Sequence, residues 1–250
     1  MLKTKVTCAA TALSLAAACG SGGNGGGNNA PEPPIADIQV SGVAFDGDVD
    51  TTLGLISTIG VVPGTGGFGD GKTASEAAGF RYAYGQTQQF GTGPNGTLEP
   101  IAIDQLDGRA GFAIDTRALS GDVPDSGSAS YNGVFEFDHV TGIGEAEDGT
   151  FSTGTATKTG GEIFYTVQFD DGTFSGQGTN GTAEVVLTME GQVSGAGEMT
   201  GTVVAAGMDA DLEGLIFGDP NQSSASAGAF AGTTETELLI GGFAAETPDP

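Results

Sequence analysis

Apolar and polar residues alternate with a period of two through most of the second half of the chain. That is the pattern of strands with one dry and one wet face. In 131–138, Tyr131, Gly133, Phe135 and Phe137 share a side, and Asn132, Glu136 and Asp138 share the other. Ile163, Tyr165, Val167 and Phe169 alternate with Glu162, Thr166, Gln168 and Asp170. Val185, Leu187 and Met189 alternate with Glu184, Thr188 and Glu190, and Met208, Ala210 and Leu212 with Asp209, Asp211 and Glu213. One apolar face per strand describes an antiparallel sheet closed on itself or packed on another element. Asp171-Gly172 and Asn180-Gly181 separate such runs, leaving a further strand near Phe174, and these dipeptides supply the positive φ of tight hairpin turns. The spacing predicts an up-and-down meander, which loses its exposed edges by closing into a barrel. Its size predicts an interior filled by side chains.

The first half is less regular. Asp107-Gly108 predicts a hairpin turn into a strand carrying Ala110, Phe112 and Ile114. Lys72 to Ala78 predicts a short helix limited by Gly79. Phe80-Arg81-Tyr82-Ala83-Tyr84 is the densest aromatic and cationic cluster. Arg and Tyr are favoured at binding hot spots, which makes Phe80, Arg81, Tyr82 and Tyr84 candidate ligand contacts. The same alternation suits a core strand with Arg81 outside. Residues 120–128 read as a connection, with a boundary near 122.

The N-terminus speaks to location. Lys3 and Lys5 precede an uncharged, mainly apolar stretch from Val6 to Ala18, too short to span a bilayer and readable as a secretory signal. It ends Leu15-Ala16-Ala17-Ala18-Cys19-Gly20. Small residues directly before a cysteine resemble a bacterial lipobox, which makes Cys19 the lipidated first residue of the mature chain. The other reading is an ordinary signal peptide cut after an A-x-A-like site. The Gly- and Asn-rich run from Gly20 to Pro34 is a flexible tether by composition. Cys8 and Cys19 are the only cysteines, so a processed chain keeps no thiol for a disulfide.

Charge narrows the partners. The chain has 32 Asp and Glu against 7 Lys and Arg, a formal net charge of −25. Nucleic acid, which needs a basic footprint, is excluded, and electrostatic docking on anionic lipid is disfavoured. A basic partner or a solvated acidic surface remains. His139 is the single histidine, so no zinc site of several His or Cys exists. His139 is a candidate ligand for haem iron, weighed against an ordinary turn histidine. Asp46-Gly-Asp48-Val-Asp50 begins like a calcium loop, but Thr51 and Ser57 stand where the pattern needs glycine and glutamate. It reads as an acidic loop. The glycines from Gly64 to Gly69 lack the Lys of a phosphate loop, and no G-x-S-x-G elbow is present. No catalytic residue, metal ligand or cofactor site is assigned.

Three segments carry a family resemblance. Pro124-Asp-Ser126-Gly127-Ser-Ala-Ser-Tyr131-Asn-Gly133 resembles the start of the lipoprotein β-barrel of the transferrin-binding protein B type. Phe169-Asp-Asp-Gly172-Thr-Phe-Ser-Gly176 is similar to that family's hairpin pattern. Gly228-Ala-Phe230-Ala-Gly232, Glu237 and Gly241-Gly242-Phe243 resemble its closing strand pair. The resemblance spans 124–245. It implies an all-β fold, with a C-terminal eight-stranded antiparallel up-and-down β-barrel beside a smaller N-terminal β-rich handle domain. The expected organisation is a signal peptide over 1–18, lipidated Cys19 and tether over 19–35, the handle over 36–122 and the barrel over 123–250. The resemblance implies a monomeric lipoprotein anchored to the outer membrane through Cys19, on the cell surface or the periplasmic face. Its expected role is non-catalytic binding of a protein or small solute, with iron or haem acquisition as the family theme. The alternatives are a structural envelope-coat lipoprotein without a dedicated ligand and, third, a hydrolase with two carboxylates. The matched glycines and aromatics are fold-making residues and bring no binding site with them.

Overall fold

The structure, a computed structural model, describes residues 35–46, 72–73, 82–88, 106–116, 119, 121–145 and 151–248. The signal stretch, Cys19, the tether, Asp48, Asp50, Gly64–Gly69, Phe80 and Arg81 lie outside the described residues. Every regular element described is a strand.

The first four are β1 (Ile35–Phe45), β2 (Lys72–Thr73), β3 (Tyr82–Gln88) and β4 (Leu106–Asp115). They form one mixed sheet in the order β1-β4-β3-β2, with β1 parallel to β4 and the other pairs antiparallel. Two expectations are corrected here. Asp107 and Gly108 do not turn a hairpin: they lie inside β4, paired with Asp37 and Ile38. Lys72 and Thr73 open the segment expected to be helical, yet they are strand, paired with Tyr84 and Ala83. Ladder pairing outweighs weak local propensity in both places.

The remaining eight are β5 (Ser128–Glu145), β6 (Phe151–Gln168), β7 (Thr173–Thr179), β8 (Val185–Val193), β9 (Glu198–Ala205), β10 (Met208–Phe217), β11 (Ala225–Thr233) and β12 (Glu237–Glu246). Each pairs antiparallel with its sequence neighbour, and β12 returns to β5 to close the barrel. The expected meander is present. The Asp171-Gly172 turn behaves as read, with Gly172 at φ 62°. The Asn180 turn does not. Its positive φ falls on Ala183, at 61°, rather than on Gly181. The side chain of Asn180 organises the loop, its Oδ1 accepting from Thr182 N at 3.0 Å, Thr182 Oγ1 at 2.7 Å and Glu184 N at 3.1 Å.

The barrel interior is packed shut. Tyr131, Tyr165, Phe137, Phe230 and Phe243 interleave there with Ile163, Leu187, Met199 and Leu212. Tyr131 stacks on Tyr165 at 5.1 Å, and Phe243 meets the Tyr165 ring edge-on at 6.0 Å. The closing pair shows why its glycines are needed. Phe230 stands opposite Gly241 and Phe243 opposite Gly228, so each ring fills the space over a residue without Cβ.

β11 and β12 are buried on both faces, from Ala225 to Ala231 and from Leu238 to Ala245. Their inner side fills the barrel. Their outer side, Ala225, Ala227, Ala229, Ala231, Leu238, Ile240 and Ala244, packs against Ala110, Phe112 and Ile114 of β4. Small outward side chains let the four-stranded sheet approach closely.

Candidate functional site

The two ends of the barrel differ in chemistry. Near the start of β5, Tyr131 Oη and Ser224 Oγ are 2.8 Å apart, and Tyr165 hydrogen-bonds Ser226. Ser226 Oγ also donates to the Ala245 carbonyl at 3.4 Å. Burial pushes the Tyr131 hydroxyl up to about 12, partly offset by its Ser224 bond and reinforced by the Asp219 charge. Burial also raises the Tyr165 hydroxyl well above the ordinary tyrosine value. Each tyrosine hydroxyl has its own buried serine partner, and the two pairs plug that end. On the β10–β11 loop, Asp219 accepts from the Asn221 N–H at 2.9 Å and from Gln222 Nε2 at 3.1 Å, which hold its carboxyl below the usual range.

The opposite end is open. β5 pairs with β12 only as far as Thr141, and β6 meets β7 only from Glu162 onward. The rest of the β5–β6 hairpin therefore stands beyond the barrel wall. A cavity of about 500 Å³ opens beside it, lined by Phe137, His139, Thr157, Thr159, Leu187 and Ala205 among others. His139 sits opposite Leu239 on the β5–β12 ladder and reaches diagonally to Glu237, with Nε2 to Oε2 at 3.1 Å. The two side chains are 20% and 37% exposed, so the pair is wet at its outer edge. Among the described residues, the non-glycine positive φ values are those of Ala183 and Ala206, and both occupy turns at this end.

Ser224 and Ser226 are committed to tyrosine hydroxyls at the far end, and His139 faces Glu237 with no serine or threonine bonded to it in that pair. Among the described residues no group of three or more His, Cys, Asp or Glu is placed to hold a metal. Partial burial raises the Glu213 carboxyl, and the neighbouring Asp211 charge adds to it. Both side chains are exposed on the barrel's outer face, so they do not form the sheltered pair a hydrolase needs.

The sequence-level candidates fare as follows. Tyr82 and Tyr84 lie on β3, at register positions opposite Ile114 and Phe112 of β4. Asp46 follows β1 and is exposed. His139 lines the open end. Its partner Glu237 lies 98 residues away, a separation at which no local pattern signals contact.

No family model matches the chain, and no curated protein does. Solved structures do show similarity. A surface lipoprotein matches over 71% of this chain and 81% of its own, at 11% identity and a TM-score of 0.43. Intact transferrin-binding protein B with N and C lobes, Ap-TbpB, matches over 74% of this chain and 39% of its own, at 14% identity and a TM-score of 0.40. A variant of transferrin-binding protein B from Haemophilus parasuis matches over 68% of this chain and 34% of its own, at 14% identity and a TM-score of 0.41. The chain thus spans well under half the length of either transferrin-binding protein. The fold assignment rests on the strand order and register above.

Proposed function

We propose that this chain is an outer-membrane lipoprotein, anchored through Cys19 by way of the 19–35 tether, that works as a non-catalytic binding module. The carrying observation is the contrast between a barrel interior packed shut and an open end with a cavity of about 500 Å³. A filled barrel has no room to engulf a solute, so recognition belongs to its rim and surface. The ligand is a protein or small solute taken at the open end, where the β5–β6 hairpin extends past the β12 and β7 ladders. The lipobox-like stretch, the tether and the resemblance over 124–245 support surface display and the iron or haem theme.

The test is capture by the purified full-length protein, immobilised and exposed to growth medium and envelope extract at low and near-physiological salt. The expected result is a saturable partner that survives the higher salt. If only basic proteins adhere and salt removes them all, the acidic surface alone explains the capture. The structural envelope-coat reading then replaces this one.

A further inference from the structure

The outer wall of the barrel over the start of β5 and over β6–β9 is exposed, and its side chains fall into ordered rows. One row runs Asn132, Phe164, Gln177, Thr188 across β5, β6, β7 and β8. The next runs Ser130, Thr166, Ser175, Glu190, Thr202 and continues onto β9. A third carries Gln168, Thr173, Gln192 and Thr200. Phe164 is 42% exposed, with a carboxamide directly opposite on each side, and Val134, 46% exposed, is its diagonal neighbour. A shallow depression of about 570 Å³ lies over Asn132, Phe164 and Gln177. A second, also about 570 Å³, lies over Gln168, Gln192 and Thr200. They share Thr166, Ser175 and Glu190, so they form one continuous track.

The geometry points to an uncharged oligosaccharide bound along this track, with one sugar ring stacked on Phe164. This goes beyond the open-end reading: it is a second surface of the same binding module, apart from the open-end cavity. A sugar ring offers an apolar C–H face and a girdle of hydroxyls. Phe164 and Val134 meet the first. The carboxamides of Asn132 and Gln177 meet the second as both donor and acceptor, and Glu190 accepts from hydroxyls. Five strands span about 19 Å, long enough for a short oligosaccharide. Side chains fixed on a closed barrel lose little freedom on binding, and threonine, stiff at χ1, loses less still.

Charge selects the ligand further. Glu162, Glu190 and Asp211 stand exposed on or beside the track. Lys158 is the only Lys or Arg between Asp122 and Pro250, and its Nζ lies 3.3 Å from Glu136. An anionic glycan meets repulsion here, whereas a neutral one brings hydroxyl donors to surplus acceptors. A protein partner fits less well. Its hot spots need buried Trp, Tyr or Arg anchors, and this face offers Phe164 with two exposed valines, Val134 and Val204, amid hydroxyls that are costly to desolvate.

Titration calorimetry of the full-length protein with maltohexaose, cellohexaose and chitohexaose tests the assignment, with hexagalacturonate as the anionic control. Saturable binding of at least one neutral hexasaccharide is expected, without binding of the control. Phe164→Ala, an exposed position that leaves the core intact by circular dichroism, is expected to weaken it about tenfold. Asn132→Ala and Gln177→Ala should weaken it too, while Asp125→Asn, at an exposed position off the track, should leave it unchanged. The assignment is overturned if no neutral hexasaccharide binds in the millimolar range, or if Phe164→Ala binds as well as the parent. Envelope capture run in parallel separates the two readings. Salt-resistant protein capture without sugar binding sinks the saccharide track alone, and loss of both sinks the binding module as well.

Discussion

Tyr131 and Ser224 lie 93 residues apart in sequence, and their hydroxyls meet at 2.8 Å inside the barrel. The bond ties the first barrel strand to the residue preceding β11. Ser224 is 2% exposed, so removing its partner leaves a buried hydroxyl bonded poorly or not at all. Tyr131→Phe is expected to lower stability by about 1–3 kcal/mol in urea unfolding. Adding Ser224→Ala should recover part of that loss, because both polar atoms are then gone. An unchanged urea midpoint in Tyr131→Phe would show the bond to be absent in solution.

The same burial sets a response to alkali. Tyr131 ionises only near 12 in the fold, against an ordinary 10.0. Burial raises Tyr165 well above the ordinary value as well. Below pH 10 both states keep the protons and stability is unaffected. Above it the unfolded chain ionises first, so stability falls as pH rises through about 12, at about 1.4 kcal/mol per pH unit for each such tyrosine. Urea midpoints taken across this range should show the decline, and Tyr131→Phe should make it shallower. Tyrosinate absorbance that grows at the ordinary value in the folded protein and is lost in Tyr131→Phe would contradict the burial.

Gly241→Ala probes the closing motif. A Cβ there would lie 2.5 Å from the Glu136 carbonyl oxygen and 2.7 Å from the Phe230 ring. Backbone cannot yield as a flexible side chain does, so the change should cost about 1–3 kcal/mol. Thermal unfolding compared with Gly181→Ala, whose Cβ meets nothing within 4 Å, provides the internal control.

Ala229→Leu tests the contact between sheet and barrel. Ala229 is fully buried on the outer side of β11, among residues that pack with Phe112 and Ile114. A larger side chain must push the sheet away, at about 1–3 kcal/mol. Limited proteolysis should then cut the N-terminal half first, with the barrel fragment surviving. Cleavage spread evenly over both would mean the sheet does not rest there.

His139→Ala separates stability from binding. The contact with Glu237 is partly exposed, and such surface contacts contribute about 0–1 kcal/mol. Little change in unfolding is expected, while a partner captured at the open end should bind less tightly. Equal capture by parent and variant would move the binding surface elsewhere.

Much of the barrel is legible in sequence because its strands over β5–β8 and β10 have one dry face each, and period two reports that directly. β11 and β12 are not, since burial on both sides erases the alternation from Ala225 to Ala231 and from Leu238 to Ala245. Their glycines are visible, but only register shows that Phe230 and Phe243 cover Gly241 and Gly228. Asp107-Gly108 misleads because a dipeptide suited to a turn also tolerates a strand with a parallel neighbour. At the open end, His139 stands out as a lone histidine, whereas Glu237 is one carboxylate among many until the barrel closes. Likewise, the outward residues of β6 and β7 read as polar, and only pairing sets Phe164 between Asn132 and Gln177.

The ground on which β4 rests is the outer side of β11 and β12, which are synthesised after every other described strand. A ribosome or an export pore working from the N-terminus releases the sheet strands long before their resting place exists. Until the C-terminal pair has emerged, neither the sheet nor the ring of strands can lock. Strand order alone thus delays commitment until β12 has emerged, leaving the earlier strands pliable until then.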